Sequence, residues 1–304
     1  MAVAGTARLG VLGVGVVAVG ALSLAVGACG TAQKSAGGAS PTTVAATPAD
    51  GTAPFVAPPR SAKPIFTGEA AKVEATLRAS LAAYEQGDAQ AAYVMQSTKR
   101  RMLPENSVNA LQEFMDAYRV VLYRINTINV KGDRATLDYE NAIVGRSLQS
   151  DVTTLLHQHD VWVKEDGEWR SDSGSVTTPG IPPDLATVDV AIRDGERIDI
   201  PAPLPTTDFA FRIENRGKEA RGLFILGIPA DLDVSSFFDR HAEQEESGFD
   251  DGILEMGATP DISGRATGTM VFSKQLPSGR YLLVARTADA GAMIPSEYAD
   301  FVVP

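Results

Sequence analysis

Two pairs of residues stand where titratable chemistry could be built. His157 and His159 lie two apart in an alternating run, so as part of a strand they share one face, with Leu155 and Val161 flanking them and Asp160 directed the other way. A neutral imidazole can act as base or ligand, which makes the pair a possible pocket group. The competing reading is two histidines on a half-exposed sheet face. A metal site needs a third and a fourth ligand. Neither lies close by in the sequence, so no metal and no cofactor is expected. Asp138 and Glu140 also share a strand face. Paired carboxylates can divide acid and base roles, but antiparallel sheets commonly turn their polar face to water. That is the expectation here, and no catalytic residue is assigned.

Other chemistry is thinly supported. The acidic stretch Glu243, Glu245, Glu246, Asp250, Asp251 and Glu255 lacks the spacing of a calcium-binding loop and reads as a solvated run of like charge. Gly-x-Ser-x-Gly, His-Glu-x-x-His, the phosphate-binding loop and Ser-x-x-Lys are all missing from the sequence, which lowers the expectation of a hydrolase.

The one cysteine, Cys29, closes an apolar segment. Arg8 is the only charged side chain before Lys34, and from Leu9 to Ala28 only Ser23 is polar. A short basic region followed by an apolar one is the pattern of a secretory signal. Val26, Gly27, Ala28 and Cys29 resemble the lipobox of bacterial lipoproteins. That resemblance implies cleavage before Cys29 and a diacylglyceryl thioether on its sulfur. Each buried CH₂ then contributes about 0.8 kcal/mol to anchoring. A plain transmembrane helix is the alternative, since about 20 apolar residues can span a bilayer. Four glycines, at positions 10, 13, 15 and 20, and the lack of a following basic stop weigh against it. Either way the remainder is expected at the extracytoplasmic face of the cell membrane.

Charge narrows the partners. The chain carries a formal net charge of −11. Residues 67–183 hold 12 basic and 16 acidic side chains, and residues 184–304 hold 11 and 21. Without a basic patch to draw phosphates, no nucleic-acid partner is expected. The acidic second half would be repelled by anionic lipid, so the acyl chains would hold the protein at the membrane.

Behind the anchor (1–28) lies an Ala/Gly/Pro/Thr-rich linker (29–64) with too little apolar surface to offset its ordering entropy. A helix capped by Thr67 is expected next, with Val73, Leu77, Leu81 and Tyr84 at helical spacing up to Gly87-Asp88. Residues 91–95 continue helically, 99–103 form a short basic piece, and Asn106 or Ser107 caps a helix buried through Val108, Leu111, Phe114, Met115 and Tyr118. The period then falls to two. Strands are expected at 120–125, 128–130, 135–139 and 153–164, with turns at Lys131-Gly132-Asp133 and Asp166-Gly167. Helices followed by antiparallel strands that end in Val161-Trp162-Val163-Lys164-Glu165-Asp166-Gly167-Glu168-Trp169-Arg170 resemble the NTF2-like fold over 65–178. The resemblance implies an α+β cone in which a curved sheet wraps a long helix around a pocket. Its members range from isomerases and dehydratases to inert interaction modules.

A Pro-rich link (179–185) leads to a region of short strands at 188–193, 197–200, 208–214, 222–228, 268–273, 280–286 and 299–303, interrupted by one expected helix at 231–246. Seven strands suggest a β-sandwich. Residues 208–215, 217–225 and the ending with Leu276-Pro277-Ser278-Gly279-Arg280-Tyr281, Met293 and 301–303 resemble a cupredoxin over 186–304. In that family two His, a Cys and a Met bind copper. Here Arg221 or Gly222, Ala285 and Ala288 stand at the first three positions, and only Met293 is in step. Blue copper needs the thiolate and both imidazoles, so a sandwich without its metal is expected.

The sequence is thus read as a non-enzymatic envelope lipoprotein with two interaction or ligand-binding modules. Its partners would be the membrane, through the lipid anchor, and an envelope protein or a small apolar ligand. The alternative is an enzyme or small-molecule carrier that uses an NTF2-like pocket with His157 or His159 as the polar group. A copper chaperone is a third and weaker reading.

Overall fold

The computed structural model describes residues 64–145, 152–243, 252–287 and 293–304, the side chains of 240–243 excepted. The expected lipobox at 26–29, the linker up to residue 63, Ala288 and the acids from Glu243 to Asp251 lie outside the described side chains. Among the described residues no helix is long and apolar enough to cross a membrane.

Helix α1 (Glu69–Gln86) buries Val73, Leu77, Leu81 and Tyr84, the stripe its spacing predicts, and ends at Gly87 in the left-handed conformation. Its N-cap is Gly68 rather than Thr67, with no side-chain cap. Glu69 fastens this end instead: its carboxylate accepts from Lys164 Nζ at 3.0 Å and from the Trp169 indole at 3.1 Å, tying the helix to a distant hairpin. Asp88 caps α2 (Ala89–Val94), Ser97 caps α3 (Thr98–Arg101) and Ser107 caps α4 (Val108–Ala117), each side chain accepting from a backbone amide three residues on.

Four strands follow as an antiparallel meander, β1 (Tyr118–Lys131), β2 (Arg134–Gly145), β3 (Leu156–Glu165) and β4 (Glu168–Thr177), in the order β1-β2-β3-β4. Strand β1 runs unbroken where two shorter strands were expected, and bulges near Leu122 and Ile125 take up the irregular pattern. One face of the sheet closes over the helices. Leu137, Tyr139, Trp162 and Trp169 pack there against Val73, Leu77, Leu81, Leu111 and Met115.

The second unit is a sandwich. One sheet has the order β11-β10-β7-β8 and the other β5-β6-β9, built from β5 (Ala186–Ile192), β6 (Phe209–Asn215), β7 (Arg221–Ile228), β8 (Leu254–Ala258), β9 (Thr267–Met270), β10 (Gly279–Thr287) and β11 (Met293–Val303). All neighbours are antiparallel except β5 and β6, which run parallel. Residues 197–200 form no strand, and β8 was not foreseen. Phe211, Ile213, Leu223, Ile225, Leu283 and Phe301 fill the space between the sheets. Helix α5 (Val234–Glu243) covers the outer face of the larger sheet with Val234, Phe237 and Phe238, which pack on Phe224, Leu226, Leu282 and Val284.

The two units are joined more closely than a flexible link would require. The expected strand at 153–164 divides: only residues from Leu156 onward belong to β3. Its beginning pairs with the sandwich, the Leu155 amide donating to the Val271 carbonyl and the Ser273 amide to the Thr153 carbonyl, both at 2.8 Å. Ala142, Val144 and Leu155 pack there with Ala210 and Val271, and Ile181 and Leu185 of the Pro-rich link lie against the same cluster. The Thr269 hydroxyl donates to the Pro179 carbonyl.

Candidate functional site

The alternation of β3 decides which polar groups face inward. Leu156, Gln158, Asp160 and Trp162 are buried, whereas His157 and His159 stand on the opposite face, partly and largely exposed. The sheet face that closes over α1 therefore presents Asp160 and not the histidines. His157 and His159 thus lie on a half-exposed sheet face, the competing reading of the pair, and Asp160 points the other way from them, as expected, into the interior. The apolar neighbours mislead because they occur on both faces: Val161 and Val163 go with the histidines, Leu156 and Trp162 with Asp160.

The inward groups form a polar knot in an apolar interior. Asp160 is fully buried, and its Oδ2 accepts from the Tyr139 hydroxyl at 2.9 Å. Gln158 donates to Asn141 Oδ1 at 3.1 Å. The buried Arg100 guanidinium donates to Ser171 Oγ, and Asn106 donates to the Arg100 carbonyl at 3.3 Å. Burial pushes the Asp160 carboxyl up to about 6, against the opposing pull of the Arg100 charge and of the hydrogen bond from Tyr139. Burial also raises Tyr139 well above the ordinary phenol range, and the charge of Asp160 adds to it. Tyr84 rises to about 12, through burial only partly offset by Arg100.

A carboxyl that titrates near 6 beside a phenol is suited to proton transfer. Reaching a substrate is another matter. Asp160 and Tyr139 have no exposed surface, and Trp162, Leu77 and Tyr84, in the same core cluster as Tyr139, are buried with them. Among the described residues Arg100 Nε and Nη2 lack hydrogen-bond partners. The knot is thus an incompletely satisfied polar centre within the fold.

On the outer face the histidines converge on one carboxylate. Asp138 Oδ1 lies 2.8 Å from His159 Nδ1 and 3.5 Å from His157 Nε2, and Asp138 Oδ2 accepts from Thr127 Oγ1 at 2.7 Å. Partial burial works to raise the Asp138 carboxyl, and the hydrogen bonds from His159, Thr127 and His157 outweigh it, leaving it below the usual range. Glu140, across the strand from His157, is buried and bound to Arg124 at 2.6 Å. Asp138 and Glu140 therefore share a face, as their spacing predicts, but each is committed to its own cation or donor. Among the described residues no group of three or more His, Cys, Asp or Glu is placed to hold a metal.

At the positions where a cupredoxin would bind copper, other contacts are present. Ala285 lies fully buried in the sandwich core. The Arg221 guanidinium is bound to the buried Glu297 at 2.9 Å. Gly222 lies so close beneath the Arg286 guanidinium that a Cβ there would overlap it. Met293 packs at the edge of the cluster under α5. Glu255, the described member of the acidic stretch, is raised to about 7 by burial. It lies near enough to Tyr118 for its charge to add to the rise that burial causes in that phenol.

No family model matches the chain, and no curated protein does. Solved structures do. An NTF2-like protein from Cytophaga hutchinsonii is 16% identical, with 36% of this chain and 98% of that one covered at a TM-score of 0.31. An NTF-2 like protein of unknown function from Silicibacter pomeroyi is 21% identical, with 36% and 93% covered at 0.28. A domain of unknown function with a cystatin-like fold from Nostoc punctiforme is 13% identical, with 38% and 81% covered at 0.32.

Proposed function

We propose that the protein is a non-enzymatic lipoprotein of the cell envelope. Cys29 would carry the acyl chains, residues 30–63 would act as a spacer, and the two folded units would be presented together as one body at the extracytoplasmic face. We read the first unit as an NTF2-like cone and the second as a cupredoxin-like sandwich without copper. Helices before a four-stranded meander support the first reading, and two packed sheets with a crossover helix support the second.

The observation that carries the non-enzymatic reading is the sealed Asp160. Its carboxyl, raised by burial to about 6, has no exposed surface, and the histidines that would have served a pocket lie on the other face of the sheet. The backbone pairing of Leu155 with Val271 supports presentation as one body rather than as two hinged modules.

The test is made on the full chain in a bacterial membrane. Detergent-phase partitioning and the intact mass of the N-terminal peptide are compared for the wild type and Cys29→Ala. Partition into detergent with a diacylglyceryl mass on Cys29, lost in Cys29→Ala, is the expected result. An aqueous wild type with a free thiol would remove the anchor. A small molecule retained in the native mass spectrum of the extracted chain would overturn the sealed interior and restore the carrier reading.

A further inference from the structure

A groove of about 760 Å³ lies on the outer side of the smaller sheet, along β5, and strand register explains why it is open. Strand β5 pairs with β6 through its even-numbered residues: the Ala186 amide donates to the Asp208 carbonyl, and the Ile192 carbonyl accepts from the Arg216 amide. In a parallel ladder a residue turns its N–H and C=O to the same side, and its neighbours turn theirs to the other. Thr187, Asp189 and Ala191 therefore direct their main-chain groups away from β6.

At Ala191 this free edge is occupied. Ala191 and Asp199 exchange both N–H···O bonds, at 3.0 and 2.9 Å. Continued in antiparallel register, the same segment would set Pro201 opposite Asp189 and Pro203 opposite Thr187. Proline has no N–H to give, so the pairing stops. Leu204 turns into the sandwich core, and Pro201, Pro203 and Pro205 become a wall of the groove. Thr187 and Asp189 are both exposed, and among the described residues their outward main-chain groups have no backbone partner.

Charge indicates what fits. Asp189 is held by Arg212 at 2.6 Å and Glu214 by Arg216 at 2.7 Å, so the ion pairs within the groove neutralise themselves. Asp199, which also lines it, is exposed and makes no close ion pair among the described residues, Arg216 being near enough only to feel its charge while it is bound to Glu214. We propose that this groove takes an extended segment of a partner polypeptide as an added strand on β5, with a basic side chain of that segment set against Asp199. Main-chain bonds to Thr187 and Asp189 supply the affinity, and the alternate side chains that meet the groove supply the selectivity. The three prolines keep the protein's own chain from filling the edge. This deepens the interaction reading of the preceding section and rests on it.

The experiment uses the full chain in detergent and a fluorescein-labelled heptapeptide of alternating valine and lysine. Two further peptides are N-methylated on one or the other set of alternate backbone nitrogens. The expected result is saturable binding in which one methylated peptide loses tenfold or more and the other does not, with slowed amide exchange at Thr187 and Asp189. Asp189→Pro removes an N–H that the fold itself does not use, and should weaken binding at least tenfold. Asp199→Asn should weaken it and flatten its salt dependence. If Asp189→Pro fails to fold, the methylated pair and Asp199→Asn carry the decision. No binding, equal binding of both methylated peptides, or indifference to Asp189→Pro would overturn the proposal. Any of these would leave the Cys29 partitioning result untouched, so a failed groove is distinguishable from a failed anchor.

Discussion

The Thr154 hydroxyl donates to the Ala258 carbonyl at 2.8 Å and accepts from the Ala258 amide at 3.0 Å. One side chain from the segment before β3 thus satisfies both main-chain groups of a residue in β8. Gly257, at φ +130°, stands beside it, and a Cβ there would overlap the same hydroxyl. The contact bridges the two units at a point more than a hundred residues apart in the chain. Thr154→Val keeps the shape and removes both bonds, leaving a buried N–H and C=O unpaired. Its expected cost is about 1–3 kcal/mol. Thr154→Ser should restore most of it. Chemical denaturation gives the stability, and amide exchange at Ala258 tells whether the junction itself has loosened.

The helices were legible because one residue type per turn marks their buried stripe. Val73, Leu77, Leu81 and Tyr84 need no knowledge of the partner surface. Strand β3 was not legible in the same way. The outer face of the sheet looks like a core face beside it because Ala142 and Val144 of β2, with Leu155 just before β3, do form a core, against the sandwich, and that contact is made by residues far away in sequence. The inward side of Asp160 follows from the pairing of β3 with β2, in which Tyr139 lies across from Gln158, placing Tyr139 and Trp162 with Asp160 on one face. Strand β8 escaped because Glu255 and Gly257 interrupt its apolar residues and a bulge breaks its register with β7.

The outward histidines make a clear prediction about Asp138. Changing both His157 and His159 to Ala removes two of the hydrogen bonds that hold the Asp138 carboxyl down and leaves the Thr127 bond and the burial that raises it. The Asp138 midpoint should rise, followed by carbon-detected NMR titration. Exposed pairs of this kind contribute less than about 1 kcal/mol, so global stability should change by no more than that. A large loss of stability would place the histidines within the folded core after all.

Helix α5 offers a test of the sandwich. Phe237 is fully buried between the helix and the outer face of the larger sheet, edge-to-face with Phe238 at a ring separation of 5.2 Å. Phe237→Ala empties that space and should cost about 3–5 kcal/mol, read from the shift of the urea midpoint. Phe237→Leu should recover more than half of the loss, since the site needs apolar volume rather than an aromatic ring.

Asp160 should govern how stability depends on pH, in the direction opposite to most carboxylates. Its midpoint in the folded chain, about 6, lies above the ordinary value of 3.8 because burial penalises the charged form more than Arg100 and Tyr139 favour it. The folded state therefore binds its proton more tightly than the unfolded state does. The contribution to stability is fully present below pH 3.8 and is lost as the pH rises through 6. Two units of difference correspond to about 3 kcal/mol across that window. Urea midpoints measured from pH 4 to pH 8 should fall in the wild type, with the share of Asp160 in that fall confined to the range below about pH 6. In Asp160→Asn, which keeps a neutral group of similar shape at every pH, this fall should be clearly smaller, the remainder coming from Glu255, which burial raises to about 7. A wild type whose midpoint rises through pH 6, or an Asp160→Asn curve with the same slope, would mean that water reaches the carboxyl and that the interior is open. The chain would then have to be read as a carrier or an enzyme, with Asp160 and Tyr139 facing its ligand.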